Sequence, residues 1–149
     1  MFRSLLAVVA GILVLTLVSF AIEAAADRLL MRLFPRALPD AAALAESVPV
    51  RLFMLLYTSF AVVVAGYVTA WIAGRAQLAH AAIMGGIEVT LTLYVMIAAP
   101  IVEAHPAPRW AWISGVILMI PAACLGAAIR RKRPRLSIAA SGPAAALKS

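Results

Sequence analysis

The residue that most suggests chemistry in this 149-residue sequence is Glu88, the single acid inside a long apolar run. If that run crosses a bilayer, a charged carboxylate there costs about 3 kcal/mol, so Glu88 should face other helices rather than lipid. Thr92 lies on the same helical face, and Tyr67 is expected at the same depth in the preceding apolar run. Both hydroxyls are therefore candidate hydrogen-bond partners for Glu88.

Two interpretations of Glu88 stay open. In the first, it is a protonated group that joins helices by hydrogen bonding, since removal from water favours the neutral carboxyl. In the second, it binds a proton or a cation during transport. We favour the first, because no second acid, lysine or arginine is expected at that depth to complete a relay.

A second set of polar residues, which we call the outer cluster, is expected at the outer surface of the membrane. Glu23 and Asp27 share a helical face, and Glu103 and His105 lie in the turn before the last apolar run. They could form ordinary interfacial ion pairs, which contribute little to stability, or hold a metal ion through His105. One histidine with scattered carboxylates lacks the spacing of a ligand set, so no metal site is predicted.

Motifs typical of enzymes are missing from the sequence. We find no GxSxG, HExxH, P-loop or dinucleotide-binding pattern. The single cysteine, Cys124, can form neither an internal disulfide nor a Cys/His zinc cluster. We therefore expect no catalytic residues, no metal and no cofactor, and predict that the protein is not an enzyme.

The elements that must position these residues are four apolar runs, each long enough to cross a membrane. The chain is 65% hydrophobic and only 13% charged, whereas a soluble domain is roughly half apolar and a quarter charged. A membrane-spanning helix needs about 20 mainly apolar residues, and lipid offers no partner for an open backbone. The predicted spans are residues 4–26, 51–74, 78–102 and 109–130.

This pattern predicts an all-α integral membrane protein whose four helices form an antiparallel bundle. Short connections make consecutive helices antiparallel neighbours. The transmembrane domain is expected over residues 1–135, and the remaining residues, 136–149, are expected to be a disordered tail.

The first apolar run has a second interpretation, as a cleavable signal peptide. Arg3 would be its basic start and residues 24–26, all alanine, its cleavage site. The run is longer than the roughly 7–15 apolar residues typical of a signal core, so we favour an uncleaved span.

The basic residues predict that both termini lie in the cytoplasm. With that orientation the inner segments carry eight basic residues and no acid, while the outer segments carry five basic and four acidic residues. A basic cluster directly after the last span is expected to lie against anionic headgroups of the bilayer, which makes a nucleic-acid partner the weaker interpretation. This cluster comprises Arg130, Arg131, Lys132, Arg133 and Arg135.

Small residues indicate where the spans pack closely, because they let helix backbones approach in lipid. They recur at four-residue spacing in Gly66, Ala70 and Gly74 of span two, Ala81 and Gly85 of span three, and Ala122 and Gly126 of span four. The inner halves of spans two and three are the expected place for close contact. The same stripes could instead form a homodimer.

Two segments resemble a widespread group of small, uncharacterised four-helix bacterial membrane proteins. The stretch 66–75, followed by His80, looks like the end of that group's second span, and 105–110 followed by 120–123 is similar to its final span. The likeness covers most of residues 1–130. It implies a bacterial inner membrane and four helices, and it implies no activity, because the group has none assigned.

These features predict a non-enzymatic accessory, scaffold or assembly component in the membrane, with a second copy or another membrane protein as its partner. The alternative is a subunit of a small proton- or cation-linked transporter or channel that uses Glu88 or the outer cluster. Four spans rarely enclose a pathway, so the alternative requires oligomerisation. A membrane enzyme acting on lipid would need the outer cluster for its catalytic groups.

Overall fold

The computed structural model describes residues 2–36, 47–98 and 109–132. Over these residues four α-helices follow one another, and each is long and apolar enough to cross a membrane. The helices are α1 (Phe2–Leu33), α2 (Val48–Ala73), α3 (Gln77–Ala98) and α4 (Arg109–Lys132). The all-α, four-helix fold class expected from the sequence is confirmed. The expected tail, 136–149, lies outside the described residues.

The first helix is longer than a bilayer core requires. Its 32 residues span about 48 Å at 1.5 Å per residue, against roughly 30 Å of hydrocarbon, so its last turns reach the interface. There Leu30 and Met31 pack against Val50 at the start of α2. At the other end of α1, Arg3 contacts Ile72 near the end of α2. The two helices are therefore antiparallel over their whole length.

The connection between α2 and α3 is very short. Gly74 ends α2 with φ 72°, and its N–H donates to the carbonyl of Ala70 over 3.3 Å. Two residues later Ala76 also has a positive φ, 46°, and α3 begins at Gln77. The chain thus reverses direction within three residues, so α2 and α3 are antiparallel neighbours.

Close backbone packing centres on α2 and α4, the pair of helices with the most extensive contact. A Cβ on Gly66 would overlap the backbone of Ala123, and a Cβ on Gly126 would overlap the carbonyl of Val63. Gly85 of α3 also packs against Ala123. The small residues pack closely, as expected, but α2 and α3 do so against α4 more than against each other.

The core of the bundle is built from small side chains, and the large apolar ones lie outside. Ala61, Ala65 and Ala123 are fully buried, together with Thr69 and Met84. By contrast, large side chains such as Phe20, Leu56 and Ile97 are exposed on the bundle surface. This distribution suits a lipid surround, in which helices associate through close packing rather than through burial of large apolar side chains.

Candidate functional site

One cleft, which we call the basic cleft, lies where the start of α1, the α2–α3 turn and the end of α4 meet. Its volume is about 580 Å³. The charged groups that line it are Arg3, Arg130 and Arg131, and no acidic residue of the described segments lines it. Three positive charges therefore converge on one concave surface at one end of the bundle.

Arg3 is positioned by the end of α2. Its Nε donates a hydrogen bond of 2.7 Å to the carbonyl oxygen of Ile72, one of the last carbonyls of that helix, which have no intrahelical partner. A cation at a helix C-terminus is also favoured by the helix dipole. The guanidinium lies so close to Gly74 that a Cβ there would be 3.0 Å from Nη2. The arginine thus joins the two helix ends and fixes one wall of the cleft.

The α2–α3 turn forms the floor of the basic cleft, and α3 begins there with Gln77, Leu78 and Ala79. The N–H groups of a first helical turn have no acceptor within their own helix, so they present partial positive charge. His80, one residue further, points back towards the α2–α3 turn, with Nδ1 3.0 Å from the carbonyl oxygen of Ala76.

The basic cluster expected after the last span is only partly in the described residues. Arg130, Arg131 and Lys132 form the last turn of α4, while Arg133 and Arg135 lie outside the described part. Lys132 is exposed and does not line the basic cleft. The Nε of Arg130 is buried and has no hydrogen-bond partner among the residues that the structure describes.

Glu88 lies half-buried on α3, one helical turn from Gly85, on the side that faces α4. Within 2–36, 47–98 and 109–132, no residue hydrogen-bonds or pairs with it. Thr92 donates instead to the sulfur of Met119, at 3.8 Å. Tyr67 lies on α2 beside Gly126 of α4. The roles expected for Glu88, Tyr67 and Thr92 stay predictions.

A second cleft, which we call the Trp112 cleft, lies at the opposite end of the bundle and has a volume of about 280 Å³. Glu23 of α1 lines it, together with Arg51 and Tyr57 of α2. Thr92 and Trp112 belong to it as well, and the indole N–H of Trp112 is buried with no hydrogen-bond partner among the described residues. Glu23 therefore shares a cleft with Arg51, Tyr57 and Trp112, neighbours that the sequence analysis did not assign to it.

The outer cluster is described only in part. Asp27 is half-buried one turn after Glu23, whereas Glu103 and His105 lie outside the described residues, so their meeting stays a prediction. Over the described ranges, no group of three potential metal ligands forms. Sequence reasoning missed Arg51 and Trp112, although their positions at the starts of spans two and four place them at one membrane face.

Comparison with known proteins finds no matching family model, no matching curated protein and no matching solved structure. The family resemblance noted in two sequence segments therefore identifies no family. What the fold defines is a class: this is a multi-pass membrane protein built from four apolar helices.

Proposed function

We propose that the protein is a non-enzymatic accessory or assembly component of a bacterial inner membrane, with both termini in the cytoplasm. The observation that supports this role best is the tightly packed centre of the bundle. A protein that moves a solute needs a polar path through this region, whereas a protein that supports other membrane components needs only stable faces.

The centre is closed by glycine contacts between helices. Gly11 of α1 meets Thr69 of α2, Gly66 meets the backbone of Ala123, and Gly126 meets the backbone of Val63. The residues between these contacts are fully buried alanines, Val62 and Met84. Such packing leaves little room for water, so a single copy is poorly suited to carry a solute.

The proposed orientation rests on the positive charges at one end of the bundle. Arg3, Arg130 and Arg131 line one cleft there, and Arg75 lies in the adjoining turn. Cytoplasmic ends of membrane helices are enriched in arginine and lysine. At the other end, Arg28, Arg32 and Arg51 are accompanied by acids such as Glu23 and Asp27, so the bias there is weaker.

Assembly with a partner can be tested by site-specific photo-crosslinking in membranes. The probe is placed at one exposed position on each helix, Phe20, Leu56, Ile97 or Ile117, and, as a control, at Met84, which is buried and already has a large side chain. We expect a protein adduct of one defined mass from positions on one face and none from Met84. Two differently tagged copies then show whether the partner is a second copy. Lipid adducts alone at all four positions would contradict an assembly role.

The second candidate function is proton- or cation-linked transport. The observation that favours it is Glu88, which is half-buried inside a span and has no bonded partner among the described residues. A buried acid without a partner is often functional in membrane proteins.

Flux across proteoliposomes decides between the two candidates. Wild type, Glu88→Gln and protein-free vesicles are compared under an imposed proton or potassium gradient, with Glu23→Gln as a matched acid outside the bundle centre. Because the centre is closed, we expect all four preparations to leak at the same rate. A flux in wild type that is lost only in Glu88→Gln would establish transport and overturn the proposal.

A further inference from the structure

An apolar groove lies directly beside the basic cleft. It runs between the first two turns of α1 and the last turn of α2, with a volume of about 510 Å³. Phe2, Leu6 and Ile72 give it an apolar lining, while Arg3 and Trp71 line both the groove and the basic cleft. The basic cleft and the apolar groove therefore meet at Arg3 and Trp71.

Hydrogen-bond donors enter the basic cleft from three parts of the chain. Arg3 is anchored through its Nε, which leaves its two terminal amino groups beside Gly74. Arg130 and Arg131 line it from the end of α4, and the first turn of α3, whose N–H groups have no acceptor in their own helix, lines it as well. Guanidinium groups bind phosphate through paired hydrogen bonds, and these donors surround one volume. The cleft is thus suited to a phosphate whose oxygens point in several directions.

We infer that the basic cleft and the adjoining groove together bind one anionic phospholipid. The phosphate is held by Arg3, Arg130 and Arg131, and an acyl chain lies in the groove along α1. Trp71 is exposed at their junction, a position at which tryptophan commonly meets the lipid headgroups. A phospholipid fills both volumes with one molecule, whereas a free phosphate ion would use only the cleft. In the proposed orientation this lipid belongs to the cytoplasmic leaflet.

Diffuse attraction between the basic end of the bundle and any anionic surface is the competing explanation, and Lys132 separates the two. Lys132 carries the same charge as Arg130 and stands in the same helical turn, but it does not line the cleft. Diffuse attraction depends on total charge, so Arg130→Gln and Lys132→Gln should weaken it equally. If the lipid binds in the cleft, only Arg130→Gln of these two variants should weaken its binding.

Native mass spectrometry of the full-length protein in detergent measures this difference. Phosphatidylglycerol and phosphatidylcholine with the same acyl chains are titrated against wild type and variants. We expect one phosphatidylglycerol to be retained in preference to phosphatidylcholine. Arg3→Gln and Arg130→Gln should each weaken its binding about tenfold, because each removes a charge-assisted hydrogen bond. Lys132→Gln should leave the binding nearly unchanged.

The groove and the source of the phosphate are tested with the same assay. Leu6→Ser should weaken lipid retention, while Leu13→Ser, an exposed leucine further along α1 that does not line the groove, should not. An excess of glycerol 3-phosphate should fail to displace the lipid, since it lacks the acyl chain.

Three results would overturn the inference: equal losses in Arg130→Gln and Lys132→Gln, equal retention of the two lipids, or displacement by glycerol 3-phosphate. If Arg3→Gln does not fold, Arg130→Gln and Arg131→Gln carry the test, because neither arginine bridges two helices in the described residues. The lipid site goes beyond the proposed role. Its binding assay uses purified protein alone, so it can fail while the crosslinking and flux results stand.

Discussion

At the scale of single residues, Gly66 and Gly126 determine how closely α2 and α4 approach. A Cβ on Gly66 would lie 2.8 Å from the Cα of Ala123, and a Cβ on Gly126 would lie 2.7 Å from the backbone nitrogen of Tyr67. Neither distance is tolerated by a real side chain. Because lipid supplies no hydrophobic force between helices, this close packing is what holds the pair together.

Replacing Gly126 by alanine should therefore destabilise the bundle. The added methyl group forces α4 away from α2, and overpacking of this kind costs about 1–3 kcal/mol in free energy of unfolding. Gly86→Ala on α3 is the matched control, because nothing lies within 4 Å of its Cβ position. The free energy of unfolding of that variant should be unchanged or higher by up to about 1 kcal/mol, because alanine has the higher helix propensity. Thermal unfolding in detergent compares the two, and equal midpoints would contradict the contact between α2 and α4.

The structure changes the interpretation of Glu88 little. The sequence marks it as an unusual acid in a span, and the structure places it half-buried on the face of α3 that meets α4. Its expected partner Thr92 is engaged with Met119 instead. Whether Glu88 joins helices or moves protons is a question for the flux comparison.

At the scale of elements, the α2–α3 turn organises one end of the molecule. It uses two positive φ angles, at Gly74 and two residues later at Ala76, to reverse the chain within three residues. The last turn of α2, just before it, carries the carbonyl that Arg3 binds, and the first N–H groups of α3 follow directly after it. The start of α1 is therefore held in place by the way α2 ends.

Substitution at the two turn positions should have opposite effects. Gly74→Ala places a methyl group against Arg3 and forces a left-handed conformation on an alanine, which costs about 1–2 kcal/mol. Ala76→Gly removes the cost of a positive φ on an alanine, so it should be neutral or stabilise the protein by less than about 1 kcal/mol, because glycine also frees the unfolded chain. Thermal unfolding of both variants checks this, and a larger loss in Ala76→Gly would contradict the geometry of the turn.

At the scale of the whole molecule, four successive helices bring the start of α1 and the end of α4 to the same end of the bundle. Arg3, near the N-terminus, and Arg130, at the end of α4, consequently line one cleft although 126 positions separate them. The acids Glu23 and Asp27 lie at the opposite end of α1. Because the number of helices is even, Arg3 and Arg130 share one end of the bundle, away from Glu23 and Asp27.

The proposed orientation predicts the accessibility of single cysteines. In a Cys124→Ser background, a cysteine at Gln77 should be protected from an impermeant thiol reagent in intact cells and become reactive once the membrane is opened. A cysteine at Arg36, after α1, should react in intact cells. This pattern follows from the arginine excess around the α2–α3 turn and the end of α4. The reverse pattern would place the termini outside and overturn the proposed orientation.

The sequence by itself determined the number and type of the helices. Each of the four apolar runs has at least the length that a bilayer requires. In lipid, the backbone N–H and C=O groups of such a run must hydrogen-bond to each other, which a helix achieves. The sequence also determined which helix ends share a side, since a chain that crosses an even number of times must return. For the same reason Arg3 and the basic residues around Arg130 were expected on the same side of the membrane.

Only the tertiary structure decided which faces meet. Small residues at four-residue spacing occur on spans two, three and four, so the sequence left open whether Gly66 packs against α3, α4 or a second copy; the structure pairs it with Ala123. Likewise, the neighbours of Glu23 in the Trp112 cleft, and the groove beside Arg3, depend on how each helix is rotated about its axis. Each residue turns a helix by about 100°, and a nearly uniform apolar surface does not specify that rotation. Close backbone contacts through glycine do, because they form at only one rotation and crossing of each helix pair.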